Sequence, residues 1–529
     1  MASSNQKKHV VIIGAGAAGM ACAGMLAQHP DKFKVTMIER MGVTGGQATS
    51  ISLDKDKYGT DWMNDGVQGG SPIFKHTCEL FKRYGHEAQG VKLQVAFGKG
   101  KDGFWTNCFP SPLVERFSSD IKKFGKVLKI IKWTMPILGV IPIRIMLKMF
   151  FFNKDFGDKM VYPLIALFLG TGNQTANVSC AILERLFDDK NMKLWDYDPD
   201  TLLPNLPQML TFPNLHNFYE DWRKDLESKG VDIRLKTNVT EIIQRSEKGV
   251  VMSTRPFNPD ANDRRGEHTG PISTTETFDE LVMCVLADDA LKILGRTATM
   301  KEKFVLGGAK FYDDITITHS DRNYFSKHYE TEFSPSLCAS PKSQAQKDQI
   351  AFAKGEAPGV DNEPSGYRPM YYTKSYAHDP TKIEMSFDCT NYQHQFRQDH
   401  ASPTAPSPTS PTSSNPSSST PPTAPPGPST KSPPTRSSKR SGGINLNRTW
   451  FAGSWTLVNM HELAIVSGKA AAYRLGAEYV KFDDFAEEFF GNYMLVSHGF
   501  RYKAEEKRRK RRRVGEGREI CGSLYIFNK

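Results

Sequence analysis

An α/β fold with a parallel sheet and a turn suited to a dinucleotide is predicted from three stretches of the 529-residue chain. "VVIIG", from Val10, is a β-branched run of the kind that forms a strand buried on both faces. "GAGAAG", Gly14 to Gly19, follows directly and opens a run of Ala, Met and Leu that reads as a helix. "TWFAGSWTLVNMHELAIVSGKAAAYRLG", from Thr449, reads as another strand, glycine turn and helix close to the other end. The first two stretches make a Rossmann-like unit. The third implies that both ends of the chain complete it.

Each glycine of the first turn has its own task. Gly14 makes the tight bend, Gly16 lets the backbone approach a pyrophosphate, and Gly19 lets helix and strand pack closely. The helix start adds N–H donors and a positive dipole end. "KVTMIER" is the second strand and ends on Glu39, twenty positions after Gly19. An acid there accepts both ribose hydroxyls and disfavours a 2′-phosphate. A glycine turn between ordinary core elements is the competing reading, and the strand, helix and acid outweigh it together. A second G-x-G-x-x-G, at Gly98, Gly100 and Gly103, lies between "VKLQVAF" and "FWTN". With strands on both sides it predicts a hairpin turn and no nucleotide.

Further along come a doublet, Gly45-Gly46 in "GVTGGQATS", and "NDGVQGG", with Asp65, Gly66 and Gln68. In "NLHNFYEDWRKDLESKGVDIRLKTNVTEII", Leu215, Phe218, Trp222 and Leu226 recur at helical spacing. Gly230 ends that helix, and "VDIRL" and "VTEII" read as strands. "FDELVMCVLADDALKILG" supplies the next strand, and "DDITITHSDRNYFSKHY" and "YYTKSYAHDPTKIEMSFDCTNYQHQF" read as sheet strands with polar faces.

Glu39, the doublet and D-G-x-Q, in that order, resemble the FAD-binding start of the flavin amine oxidase and phytoene desaturase superfamily, in an uncharacterised branch. The resemblance implies an α/β fold with a Rossmann-like FAD-binding domain of the amine-oxidase type and an interleaved α+β substrate domain. It implies FAD segments at 8–99, 211–299 and 447–500, and substrate segments at 100–210 and 300–396. To Gly14, Gly16, Gly19 and Glu39 it adds Ala18, Arg40, Gly45, Gly46 and Gln47 along the nucleotide. It puts Asp65, Gly66 and Gln68 near the flavin, and the backbone at Val239 near the adenine. Gly453 and Ser454 belong to its closing motif, whose helix start faces the isoalloxazine ring, where a dipole stabilises negative charge. The family's usual Thr-Pro after the fourth strand is Asp288-Asp289 here.

Many amine oxidases link FAD to a cysteine in the last segment. None lies between Cys389 and Cys521, which predicts noncovalent FAD. The branch also carries a His-Glu pair, here His461-Glu462. Two readings of the pair stand: acid and base at the flavin, or a packed helix start with a glutamate that favours its dipole. The expected activity is that of an FAD oxidoreductase taking hydride from an amine or an apolar lipid- or terpenoid-like small molecule. The alternatives are an escort-like binding protein on the same fold, or a defective, mis-spliced member.

Composition narrows the rest. The formal charge is +11, but seven positives form one run, Lys507 to Arg513, so no nucleic-acid partner is predicted. That run reads as a nuclear signal or as a solvated tail over 501–529. The eight cysteines lie singly, without metal spacing, which predicts no metal and a reducing, intracellular, most simply cytoplasmic setting. The N-terminus does not read as a signal peptide. The lysine-studded apolar stretch 122–152 is too interrupted to span a bilayer. It reads as core, as the wall of an apolar tunnel, or as a peripheral membrane contact. Of the 40 residues from Ala401 to Arg440, 31 are Ser, Thr or Pro, too little apolar surface to offset ordering. A disordered insert is predicted over 397–446.

Overall fold

The computed structural model describes residues 7–258, 273–311, 316–357, 365–376, 378–389 and 447–502. The predicted insert at 397–446, and the tail beyond Tyr502, lie outside the described residues. The central sheet has five strands, all parallel, in the spatial order Asp232–Arg234, Phe33–Ile38, Lys8–Ile13, Glu280–Met283, Thr449–Phe451. In chain order this is 3-2-1-4-5, the Rossmann order, with its reversal point beside the first strand. Three distant stretches of the chain therefore build one sheet, and the strand at Thr449 closes its edge.

The alternation of "VVII" explains why the first strand is central. Val10 and Ile12 join the larger core, while Val11 and Ile13 join a second core on the other face. Helices Ala17–Leu26, Leu215–Ser228 and His461–Leu475 contribute to the first core. A three-stranded antiparallel sheet (Thr237–Ser246, Gly249–Pro256, Thr274–Phe278) and helix Ala287–Leu294 contribute to the second. Leu215, Phe218, Trp222 and Leu226 are all buried, and Gly230 (φ +84°) ends that helix, as its spacing predicts.

The hairpin at Gly98–Gly103 is also as expected, with Ala96 opposite Thr106 and Phe97 opposite Trp105. It corrects one boundary, however. Val95–Phe97 pairs with Tyr371–Tyr376 in a separate four-stranded sheet, so the boundary at 99/100 falls inside one structural unit. Tyr371–Tyr376 and Asp379–Phe387 are strands, as expected, and pair antiparallel with each other. "ITITHS" is a second correction. Residues 312–315 are outside the described set, 316–321 form no strand, and Arg322–His328 is a helix. The Asp321 side chain accepts from the Tyr324 amide, and this N-cap overrides the strand-like alternation before it.

Among the described residues there is no disulfide, no cluster of metal ligands and no helix long and apolar enough to cross a membrane.

Candidate functional site

The glycine turn sits at the carboxyl end of the central strand. Gly14 (φ +100°) donates its amide to Ile38, and a Cβ there would lie 2.6 Å from the Cys284 carbonyl oxygen. At Gly19 a Cβ would lie 1.9 Å from the Gly14 carbonyl oxygen, so the helix can leave the strand this tightly only with glycine. Gly16 differs from both. Its nearest neighbour to an added Cβ is Gly46 Cα at 3.8 Å, and it is half-buried between buried neighbours. It is also the N-cap of helix Ala17–Leu26, which has no side-chain cap, so the first amides are left for something else to satisfy.

The doublet closes onto this turn. The Gly45 amide donates to the Ala15 carbonyl (2.9 Å), and a Cβ added to Gly46 would lie 3.1 Å from Gly16 Cα, so this close approach favours glycine on both sides. A Cβ on Gly45 would lie 3.0 Å from the Tyr219 ring. Glu39 is less free than predicted. One oxygen accepts the Ala15 amide (2.8 Å) and the other the Met41 amide (2.9 Å). It thereby ties the turn to the second strand, and a carboxylate has about four acceptor positions, so capacity remains for hydroxyls. Arg40, Gly46 and Gln47 are exposed. Ala18 presents its carbonyl to Gly468, where a Cβ would lie 1.9 Å away. Val239 is buried in the second core, and its side chain serves packing there.

Asp65 ends a hairpin formed by Thr49–Ser52 and Trp62–Asp65, Gly66 and Gln68 follow it, and all three line a cavity of about 1720 Å³. That exceeds the roughly 300–1,000 Å³ of most small-ligand sites. Its far wall is the Tyr371–Phe387 hairpin and the stretch from Thr316 to Glu332. Sequence reasoning missed the cluster in that wall. The Glu384 carboxylate accepts from Tyr324 (2.9 Å), Tyr329 (2.6 Å) and Tyr376, and Lys374 Nζ lies 3.7 Å away. Burial pushes Glu384 up, but the tyrosine hydroxyls and Lys374 together hold it below its ordinary value. The polar faces of these strands were visible in the sequence; the convergence of Tyr324 and Tyr329, from helix Arg322–His328 and its C-terminal end, with Tyr376 of the hairpin was not.

Gly453 (φ +151°) turns the chain after the last strand, and its amide donates to Ser467 Oγ (2.9 Å). Ser454 Oγ donates to Asn459 Oδ1. A short 3-10 turn, Ser454–Thr456, intervenes, and the helix begins only at His461. Neither Gly453, His461 nor Glu462 lines the large cavity.

The His461-Glu462 pair is instead buried against helix Lys75–Arg83. Glu462 accepts the backbone amides of His76 (2.9 Å) and Thr77 (2.8 Å), so it caps a helix that has no cap of its own. It also accepts from Thr77 Oγ1 (2.8 Å) and His76 Nδ1 (2.6 Å). The remaining directions follow by exclusion. Thr77 spends its proton on Glu462, so His461 Nδ1–H donates to Thr77 Oγ1 (3.1 Å). His461 Nε2 then accepts from Tyr219 (2.7 Å), and His76 Nε2 from Tyr479 (2.9 Å). Every group is satisfied with both histidines neutral and the glutamate ionised. Burial pushes His461 down to about 4 and lowers His76, against the attraction of Glu462. Burial raises Glu462, but His76 and the two amides outweigh it and hold the carboxyl low.

A pH dependence follows. These histidines bind protons more readily unfolded, near 6.5, than folded. Their contribution to stability is complete above about pH 6.5 and is lost as pH falls towards 4, on the order of 3 kcal/mol for His461 alone. His498, also pushed down to about 4 by burial, acts in the same window. Unfolding midpoints measured from pH 7.5 to 4 should fall with acid, and His461→Gln should make the fall shallower. An unchanged slope would show that His461 already accepts a proton in the fold.

Comparison with known proteins yields one family model, described as an NAD(P)-binding Rossmann-like domain, which matches residues 12–79. No curated protein matches the chain. Similar solved structures include a CLA-producing fatty acid isomerase from P. acnes, at 14% identity over 90% of this chain and 100% of that one, with a TM-score of 0.44. Wild-type putrescine oxidase bound to putrescine has 13% identity over 89% and 100%, with a TM-score of 0.47. Cyclohexylamine oxidase from Brevibacterium oxydans IH-35A has 13% identity over 91% and 99%, with a TM-score of 0.46.

Proposed function

We propose that the protein is an FAD-dependent oxidoreductase with dissociable cofactor, acting on an amine or an apolar lipid- or terpenoid-like substrate. The observation that carries this reading is the open face of Gly16 at the reversal point of the sheet. A pyrophosphate fits there, because the backbone is bare, the helix start is uncapped and Gly46 borders it. When bound, FAD supplies a hydride acceptor at flavin N5. The chain's own contribution is to hold and enclose. Gly14 and Gly19 keep the turn tight, Glu39 fixes it through Ala15 and retains acceptor capacity for ribose hydroxyls, and Gly45-Gly46 close over it. Asp65, Gly66 and Gln68, which would lie near the flavin, border a cavity with room for a substrate. His461 and Glu462 support the site from behind, by holding Tyr219 against Gly45 and by capping helix Lys75–Arg83.

The test is the visible spectrum of purified protein before and after acid precipitation, with Gly16→Asp beside it. The wild type should carry flavin that acid releases. Gly16→Asp has room for its side chain, so it should fold normally yet lose the flavin by charge repulsion and steric block. Flavin retained by a folded Gly16→Asp variant would sink the assignment. Colourless wild type that gains no spectrum with added FAD would favour an escort-like role.

A further inference from the structure

We propose that the surface around Lys126, Trp133, Ile137, Val140 and Phe151 docks onto the headgroup layer of an anionic lipid bilayer. Helix Ser118–Trp133 turns Ile121, Phe124, Val127, Leu128 and Ile131 inward, so one face of this stretch is core. Its other side and the turns that follow are exposed where apolar residues are normally hidden. Trp133 is 81% exposed, Ile137 72%, Val140 65% and Phe151 88%. The stretch is nevertheless firmly seated, because Met135, Ile143, Met146 and Leu147 are buried in the main core. The exposed side chains are therefore projected, not loosely attached.

Phe151 makes the point sharply. It has φ +52°, a conformation that so bulky a side chain rarely adopts, while its neighbours Phe150 and Phe152 pack against the core. Lys123 Nζ donates to the Phe151 carbonyl (2.8 Å), which fixes this tip beside the basic helix. Lys123 and Trp133 are ten residues apart on that helix, roughly 15 Å. The apolar tips thus flank a row of lysines.

Charge selects the partner. From Ile121 to Phe152 the chain has seven Lys or Arg and no Asp or Glu. Lys122, Lys123 and Lys132 pair with acids of the same protein. Among the described residues, Lys126, Lys129, Arg144 and Lys148 have no acid within ion-pair distance. Bulky apolar residues on projecting turns, interspersed with unpaired cations and including Trp, match the headgroup boundary of an anionic leaflet. This inference stands on the surface alone and does not depend on the flavin.

The experiment is flotation of the full chain with vesicles of phosphatidylcholine alone, and of phosphatidylcholine with about one-third phosphatidylserine. The wild type should float with the anionic vesicles, and less so as salt rises. Trp133→Asp/Phe151→Asp should lower the partition coefficient about tenfold or more without changing the circular dichroism or the flavin spectrum. Lys126→Glu/Lys129→Glu should remove the preference for anionic lipid. Failure of the wild type to float with anionic vesicles would overturn the proposal. Equal binding by the Asp double variant would also overturn it, assigning the contact to the basic run 507–513. Conversion of a dimer to a monomer by the same variant, with flotation unchanged, would assign the surface to a second copy of the chain.

Discussion

Glu462→Ala is expected to be the most destabilising single change at the site, by about 3–5 kcal/mol. Four donors converge on this buried carboxylate: two backbone amides, the Thr77 hydroxyl and His76 Nδ1. Alanine removes the acceptor and leaves all four buried donors without it. The loss then spreads. Helix Lys75–Arg83 loses its cap, and the Thr77–His461–Tyr219 chain loses its anchor, which frees the ring that packs on Gly45. Denaturant unfolding of the variant measures the first effect, and flavin retention the second. Glu462→Gln separates this account from a catalytic one. Its amide keeps one acceptor but sets an NH₂ against a donor, so it should be unstable in proportion. A catalytic Glu462 would instead yield a glutamine variant of normal stability whose flavin is reduced slowly by substrate.

The second large effect is expected at Gly468. Helices Ala17–Leu26 and His461–Leu475 cross here so closely that a Cβ would sit 1.9 Å from the Ala18 carbonyl oxygen. The obstacle is backbone, which cannot rotate away. Gly468→Ala must push the C-terminal helix off the helix that starts at the glycine turn, a strain at or above the usual ~1–3 kcal/mol for overpacking. It should lower both the unfolding midpoint and flavin retention. Gly24→Ala, on the same first helix, is the control. Its Cβ would meet Trp222 at 3.6 Å, an ordinary contact, and relief of glycine's entropy should raise stability by about 0.5–1 kcal/mol. If both variants behave alike, the crossing at Gly468 is not what joins the two ends of the chain.

The parts of this fold whose cause is local were legible in the amino-acid order. β-branched alternation made Val10–Ile13 a strand with two buried faces. Glycines at 14, 16 and 19 made a turn that no other residue fits at two of its three positions. Helical spacing made Leu215–Ser228 a helix, and strands on both sides of Gly98–Gly103 made a hairpin of a misleading motif. Spacing also linked Gly19 to Glu39, while the glycine doublet was tied to them by the family resemblance. What each polar group touches was set by long-range packing. Glu39 looked free for a ribose, yet its oxygens first meet the amides of Ala15 and Met41. Glu462 looked like either a base or a dipole partner for its own helix, yet it caps a different helix 386 residues away. Glu384 carried no sequence signal at all, since Tyr324 and Tyr329 reach it from 60 and 55 residues earlier in the chain. Periodicity and backbone freedom act over a few residues and can be read in one dimension. A buried charge takes its partner from whatever the fold brings within 3 Å, and that choice is made only when the distant segments pack.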